Sequence, residues 1–293
     1  MPAGLPRILL TGACGSLGRA VREAGAEQAE FVGVDVKAGG DPSVREGSFG
    51  ERKLLDELLP GCAAVIHTAA AHGRFLKTHT PAQFTEINVT GLIELLEACV
   101  RHGVKKVVFS STMEAVIGRD WAAAGLAVVD ETFPVLPDWI YPLNKIQGEQ
   151  AGAYYHARFG IQFVALRYMA FGSYSKPGPD LLARVLMPLD VAQANLAAAM
   201  KDDLGFQVLH IGPETPLTCQ DIEAAVGGDP YAVVEKHWPG SAEFLRARGI
   251  ELPAQCFWPV TRIDKARRVL GWRPEVTFES WLREQGWNGN RTA

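Results

Sequence analysis

Short runs of nearly continuous apolar residues alternate along this chain with longer stretches whose apolar positions recur every three or four residues. Arg7–Thr11, Glu30–Asp35, Ala63–His67, Val104–Ser110, Ile161–Arg167 and Phe206–Ile211 are of the first kind, and they predict strands buried on both faces. Ser16–Ala24, Lys53–Leu59, Pro81–His102, Ile140–Phe159 and Asp190–Met200 read as helices, the third through Phe84, Ile87, Leu92, Leu95 and Cys99. Gly25 and Gly103 stand where two of these helices should stop. The alternation predicts an α/β fold, a doubly wound parallel sheet covered by helices on both sides.

After Gly172 the texture changes. Ser173–Pro179 is rich in Gly, Pro and Ser and reads as a loop. Residues 213–293 mix short helices with loops and hold five of the seven tryptophans, Trp238, Trp258, Trp272, Trp281 and Trp287. These read as the core of a small lobe, although Trp238 and Trp258 fall in segments able to cover a ligand. Residues 1–172 with about 190–212 then form the sheet domain, and 173–189 with 213–293 a smaller mixed C-terminal lobe.

A chain of 293 residues is long enough for that arrangement. A net charge of −4 without any dominant Lys/Arg cluster argues against a general nucleic-acid binder. The five cysteines, at 14, 62, 99, 219 and 256, lack CxxC spacing, which points to a reducing compartment and no structural zinc. The seven histidines show no HxH or HxxxH pair, so no metal site is expected. No secretory leader and no apolar run of about 18 residues is visible, so the expectation is a cytoplasmic protein without a membrane span.

Candidate chemistry enters at the first strand. Gly12, Gly15 and Gly18 lie in Thr11-Gly12-Ala13-Cys14-Gly15-Ser16-Leu17-Gly18, between a strand and a helix, as a dinucleotide-binding turn requires. The spacing is G-x-x-G-x-x-G, and Cys14 fits there as a small packing residue. Asp35 ends the second strand 17 residues after Gly18, near the place of an acid that binds the adenosine ribose. Such an acid repels a 2′-phosphate and favours NAD over NADP; Lys37 reads as a solvated loop lysine. Far downstream, Tyr141 and Lys145 are four residues apart and share one helix face. An ammonium there is expected to lower the pKa of the phenol and make it a usable acid/base.

With these residues in hand the chain resembles the extended short-chain dehydrogenase/reductase family, also called the NAD-dependent epimerase/dehydratase family, whose fold is a Rossmann-type sheet. The likeness runs through the glycine turn, Asp35, His67-Thr68-Ala69-Ala70, Asn88-Val89-Thr90-Gly91, Phe109-Ser110-Ser111-Thr112, Tyr141 with Lys145 and Glu149, and Leu166-Arg167-Tyr168. Asp264-Lys265-Ala266, Leu270-Gly271-Trp272 and Pro274 continue it. The resemblance implies that Gly12, Cys14, Gly15, Ser16, Leu17 and Gly18 meet the pyrophosphate, and that Ser48 and Phe49 lie against the adenine, Ser48 replacing the usual Asp. Thr68, Ala69 and Ala70 would line the cofactor path, Asn88 would hold nearby backbone, and Ser110, Met169, Tyr141 and Lys145 would surround the nicotinamide. Thr112 would be the hydroxyl beside the acid/base, with Ser111 as the alternative because the run Thr112–Gly118 is one residue longer than the common pattern. His72, Ser111, Thr112 and Met113 would face the substrate. Helices 81–102 and 140–159 would pair across a homodimer.

The resemblance also bears on the substrate. Only 17 residues separate Gly172 from Asp190, where nucleotide-sugar enzymes of the family carry a long nucleotide-gripping insert. The family's Gly-x-x-x-Arg-Asp stretch is absent, with Leu186-Met187-Pro188-Leu189-Asp190 in its place. This is similar to the uronate dehydrogenases, although those have Asn and His after the serine pair where this chain has Thr112. The leading expectation is an NAD-dependent oxidoreductase of a sugar-like or other small hydroxy compound. The alternative is a nucleotide-sugar 4-epimerase with tightly held NAD. Arg74, in His72-Gly73-Arg74, reads as a solvated loop arginine, or as a group meeting a substrate carboxylate.

Overall fold

The computed structural model describes residues 4–118, 128–172 and 178–289. Among them are eleven strands: β1 (Arg7–Thr11), β2 (Glu30–Asp35), β3 (Val44–Glu46), β4 (Ala64–His67), β5 (Lys106–Thr112), β6 (Val128–Val129), β7 (Gln162–Tyr168), β8 (Ala170–Phe171), β9 (Val185–Leu186), β10 (Phe206–Ile211) and β11 (Val260–Thr261). Seven make one parallel sheet in the order β10-β7-β5-β4-β1-β2-β3; β6 pairs with β11, and β8 with β9. The winding reverses between β1 and β4. In open α/β sheets that reversal leaves a crevice beyond the strands' carboxyl ends, where ligands bind.

The helices are α1 (Ser16–Ala24), α2 (Arg52–Leu58), α3 (Pro81–Thr85), α4 (Gly91–His102), α5 (Glu114–Ile117), α6 (Ile140–Phe159), α7 (Pro188–Met200), α8 (Cys219–Gly227), α9 (Pro230–His237), α10 (Ser241–Ala247), α11 (Asp264–Leu270) and α12 (Phe278–Glu284). Successive strand residues point to opposite faces, and here both sets are apolar. Ile8, Leu10, Val108 and Val164 pack against α1 and α7 through Leu17, Val21, Val191 and Leu196. Leu9, Val107, Phe109 and Phe163 pack against α2, α4 and α6 through Leu55, Leu95 and Tyr155. This is the doubly wound sheet the apolar runs predict.

A third apolar cluster gathers Leu181, Leu217, Val234, Trp238, Phe257, Phe278, Trp281 and Trp287. Trp272 joins the sheet core instead, and its indole N–H donates to Asp190 O at 2.9 Å. The Asp190 carboxylate accepts backbone N–H groups from Glu275 (2.7 Å) and Val276 (3.4 Å). Burial pushes its pKa up to about 6.

Several local features differ from the sequence reading. The helix expected over 81–102 is broken by a π turn at Glu86–Thr90, between α3 and α4. The three-residue β3 was not expected, because Val44 is its one apolar member and so short a strand has no period to read. The short α5 also went unread. Residues 173–177 of the expected loop Ser173–Pro179 lie outside the described residues, and Gly178–Leu182 form 3₁₀ turns. No helix among the described residues is long and apolar enough to cross a membrane.

Candidate active site

One cavity of about 720 Å³ opens at the reversal point, along the carboxyl ends of β1, β2, β4, β5 and β7. That volume lies within the range of about 300–1,000 Å³ usual for ligand pockets.

The glycine turn forms its floor. Gly12 has φ +70°, and a Cβ there would press on Ala69 N and Thr68 Oγ1, each 2.8 Å away. Gly18 lies so close to Gly12 O and Ala13 that any side chain would push α1 off the turn. Gly15 caps α1 without a side-chain hydrogen bond, so the first amides of the helix remain available to an anion. Thr68 Oγ1 donates to Thr11 O (2.8 Å), and Thr11 Oγ1 lies 2.7 Å from His67 Nδ1, which pins β4 to β1 beside the turn. Burial holds the His67 imidazole neutral, with its pKa down to about 3. Gly12, Gly15, Ser16, Leu17, Thr68, Ala69 and Ala70 all line the cavity.

Asp35 lies beside that floor at the end of β2. Its Oδ2 accepts the Cys14 N–H (3.0 Å) and its Oδ1 the Lys37 N–H (3.2 Å), so the acid braces the turn while facing the cavity. Phe49 is buried in the wall, edge-on to His67 with ring centroids 4.6 Å apart. Cys14, Gly18, Ser48 and Asn88 do not line the cavity. Burial pushes the Cys14 thiol up, which suits packing. Ser48 is exposed, and its hydroxyl accepts the Gly50 N–H at 3.3 Å. Asn88 clamps Ala71, accepting its N–H (2.8 Å) and donating to its carbonyl (2.9 Å).

The other end of the cavity is built by β5 and α6. Trp139 is the extended N-cap of α6, and Pro142 fits in the first turn, where its missing N–H is not needed. Tyr141 therefore sits in that turn and Lys145 one turn later, on one face. Mid-helix glycines bring this helix onto the sheet: a Cβ at Gly148 would meet the Phe109 ring at 2.6 Å, and one at Gly152 would overlap the Phe163 ring. Lys145 is 2% exposed, its ammonium 4.7 Å from the Phe109 ring centroid and 5.5 Å from that of Tyr141.

Electrostatics at this end depart from the expected priming. Burial pushes the Tyr141 phenol above its ordinary value, and Glu114 and Tyr168 add to the rise. The same burial pulls Lys145 down to about 7, against the pull of Glu149. Desolvation is the largest influence on both groups, so the ammonium does not prime the phenol as expected.

The three hydroxyls at the end of β5 have separate partners. Ser110 Oγ lies 3.4 Å from the Tyr168 hydroxyl, which donates to Asn195 Oδ1 at 3.0 Å. Ser111 Oγ donates to Glu149 Oε1 at 2.6 Å. Thr112 Oγ1 accepts the Glu114 N–H at 3.2 Å. Met113 and Met169 are buried beside them in the cavity wall.

His72, Arg74, Phe75 and His79 close the cavity from the segment after β4. The His72 imidazole is pushed toward its neutral form by burial, Arg74 and Lys145. Arg74 is exposed, its guanidinium 4.8 Å from the Phe75 ring centroid. The sequence reading missed Val36, Gly47, Phe75, His79, Ile87 and Phe171 of this wall. Val36, just past β2, and Phe171, just past β7, had a usable signal, since the carboxyl ends of strands in such sheets face ligands. Among the described residues no tryptophan lines the cavity; Trp238 and Trp287 are buried in the third cluster.

Residues 8–210 match the NAD dependent epimerase/dehydratase family. Uronate dehydrogenase of Pseudomonas putida is 31% identical over 174 residues, 55% of this chain and 59% of that protein, so the match spans under two thirds of the relative's length. UDP-glucose 4-epimerase of Lacticaseibacillus casei is 24% identical over 275 residues, 84% of this chain and 81% of that protein. Among solved structures, a mutated uronate dehydrogenase superposes with a TM-score of 0.69 at 22% identity, covering 96% of this chain and 86% of the other, which is a likeness of fold.

Proposed function

The chain belongs to the NAD dependent epimerase/dehydratase family, and we propose that it is an NAD-dependent oxidoreductase acting on a hydroxyl or carbonyl of a sugar-like or other small hydroxy compound. One observation carries this reading: Thr112, Tyr141 and Lys145 line the same cavity as the glycine turn and Asp35. The residues present fit the dinucleotide. A side chain at Gly12 would crowd the turn against Thr68 and Ala69, one at Gly18 would push α1 off it, and the Asp35 carboxylate faces the same cavity as an acceptor suited to a ribose diol.

When bound, NAD supplies the hydride acceptor or donor. Tyr141 exchanges a proton with the substrate oxygen, acting as base in oxidation and as acid in reduction. Thr112, whose oxygen already accepts the Glu114 N–H, has its own proton left to donate to that oxygen and to stabilise charge developing there. Lys145 presents its ammonium to the nicotinamide ribose and to the phenol. Ser110 and Met169 form the wall behind, and His72, Ser111 and Met113 complete the substrate side. Residues 173–189 and 213–293 are read as the substrate-binding lobe.

The test is NADH absorbance with a panel of hexuronates, free hexoses and pentoses. Steady NADH formation with one class supports the reading, and none with any class overturns it. A second reading, a nucleotide-sugar 4-epimerase that keeps its NAD, is favoured by the L. casei relative, whose match spans most of both chains. A melting-temperature rise with UDP, without net NADH, selects it. We further read the protein as a homodimer of a reducing compartment. Ile93 and Val100 on α4, and Leu143 and Tyr154 on α6, are exposed apolar residues on the two helices concerned, and all five cysteines are free. Light scattering that returned a monomer mass would overturn the dimer.

A further inference from the structure

Glu114, which opens α5, carries its side chain in the cavity wall. Two hydrogen bonds tie this residue to opposite sides of the site. Its backbone N–H donates to Thr112 Oγ1 (3.2 Å), and its Oε2 accepts the indole N–H of Trp139 (2.8 Å). Trp139 precedes Tyr141 by two residues, and their ring centroids lie 5.4 Å apart. The indole also meets Phe84 of α3, at 6.5 Å between centroids, and a Cβ added at Gly73, in the segment after β4, would touch it at 3.8 Å.

Thr112 and Tyr141 thus belong to separate segments of chain, each gripped by one end of the same pair. We propose that Glu114 and Trp139 are positioning residues, whose hydrogen bond joins the turn after β5 to the first turn of α6 and so fixes the separation of Thr112 from Tyr141. The proposal rests on the redox reading of those two groups. Misplacement of reacting groups by about 1 Å can cost about 100-fold in rate, so a latch between otherwise independent segments has a large effect to exert. Trp139 does not line the cavity, so it acts through its neighbours.

The carboxylate has a second, electrostatic consequence. The titratable groups facing the phenol are Glu114 from α5, Tyr168 from β7 and Lys145 from α6, while His72 lines the same cavity from beyond β4. A negative charge at Glu114 disfavours the phenolate.

Kinetics of Glu114→Ala, Glu114→Gln and Trp139→Phe, on the best substrate from the sugar panel, test the latch. Glu114→Ala and Trp139→Phe should lower kcat about 10- to 100-fold, with NADH affinity by fluorescence within about twofold of wild type. Glu114→Gln keeps an oxygen for the indole. It should retain more turnover than Glu114→Ala, while the rising limb of its oxidation pH profile moves to lower pH. A Trp139→Phe enzyme with wild-type kcat, or a Glu114→Gln profile that does not move, overturns the latch while wild-type turnover leaves the redox reading standing. If Trp139→Phe fails to fold, the Glu114→Gln profile decides alone. Absence of NADH formation by the wild type on every sugar, together with no melting-temperature rise with UDP, overturns both.

Discussion

The Ser111 hydroxyl donates a 2.6 Å hydrogen bond to Glu149 Oε1, inside an ion pair that Arg167 completes through Nε (2.9 Å) and Nη2 (2.7 Å). Ser111 is thereby committed to a buried network, whereas Thr112, one residue later, accepts the Glu114 backbone N–H through its oxygen. Thr112→Ala should cut turnover about 100- to 1,000-fold, as loss of one oxyanion donor does. Ser111→Ala should leave turnover within tenfold and lower stability by about 1–3 kcal/mol, since Glu149 loses a donor. Steady-state kinetics with thermal melts separate the two, and the opposite ranking would make Ser111 the working hydroxyl.

Glu149 and Arg167 are both 7% exposed at their side chains. Glu149→Ala should destabilise the fold by about 3–5 kcal/mol, because an unpaired guanidinium is left in the interior. Urea unfolding measures this, and a loss below about 1 kcal/mol would show that water reaches the site.

Tyr141→Phe removes the proposed acid/base and should cost about 100- to 10,000-fold in kcat with little change in NADH binding. Turnover near the wild-type level would remove Tyr141 from the mechanism.

Burial raises the Tyr141 pKa, so the phenol is protonated at neutral pH and ready as an acid but not as a base. Oxidation should therefore climb with pH and still be rising at about pH 9, below the ordinary phenol value of about 10. Reduction should weaken over the same interval. An oxidation profile already flat below about pH 7 would mean that another group takes the proton.

Asp35 faces the cavity and braces Cys14. Asp35→Ser should weaken NAD at least tenfold and shift the NADP-to-NAD preference upward, because a carboxylate repels a 2′-phosphate. Fluorescence titration with NADH and NADPH reads both changes, and an unchanged ratio would place the adenosine ribose elsewhere.

The sheet was legible because its interior strands are apolar at consecutive positions, and Glu30–Asp35 and Phe206–Ile211 end where the sequence placed them. Lys145 and Tyr141 were legible because a four-residue helical step fixes a shared face. Their proton affinities were not, since desolvation depends on Phe109, Tyr168 and Glu114, brought up from other elements. The choice between Ser111 and Thr112 likewise hangs on Glu149 and Arg167, which are remote in sequence. The pairing of Glu114 with Trp139 spans 25 residues and leaves no periodic trace.

The π turn at Glu86–Thr90 has an implication for protein engineering. It holds one residue more than a regular spiral accommodates, and Asn88, which grips Ala71, lies inside it. Deleting a single amino acid there would restore uniform winding and close the wide turn, displacing the residues inside it relative to α3 and α4. The amide would swing away from the backbone it secures, and the cavity would slacken although every residue facing it stayed the same.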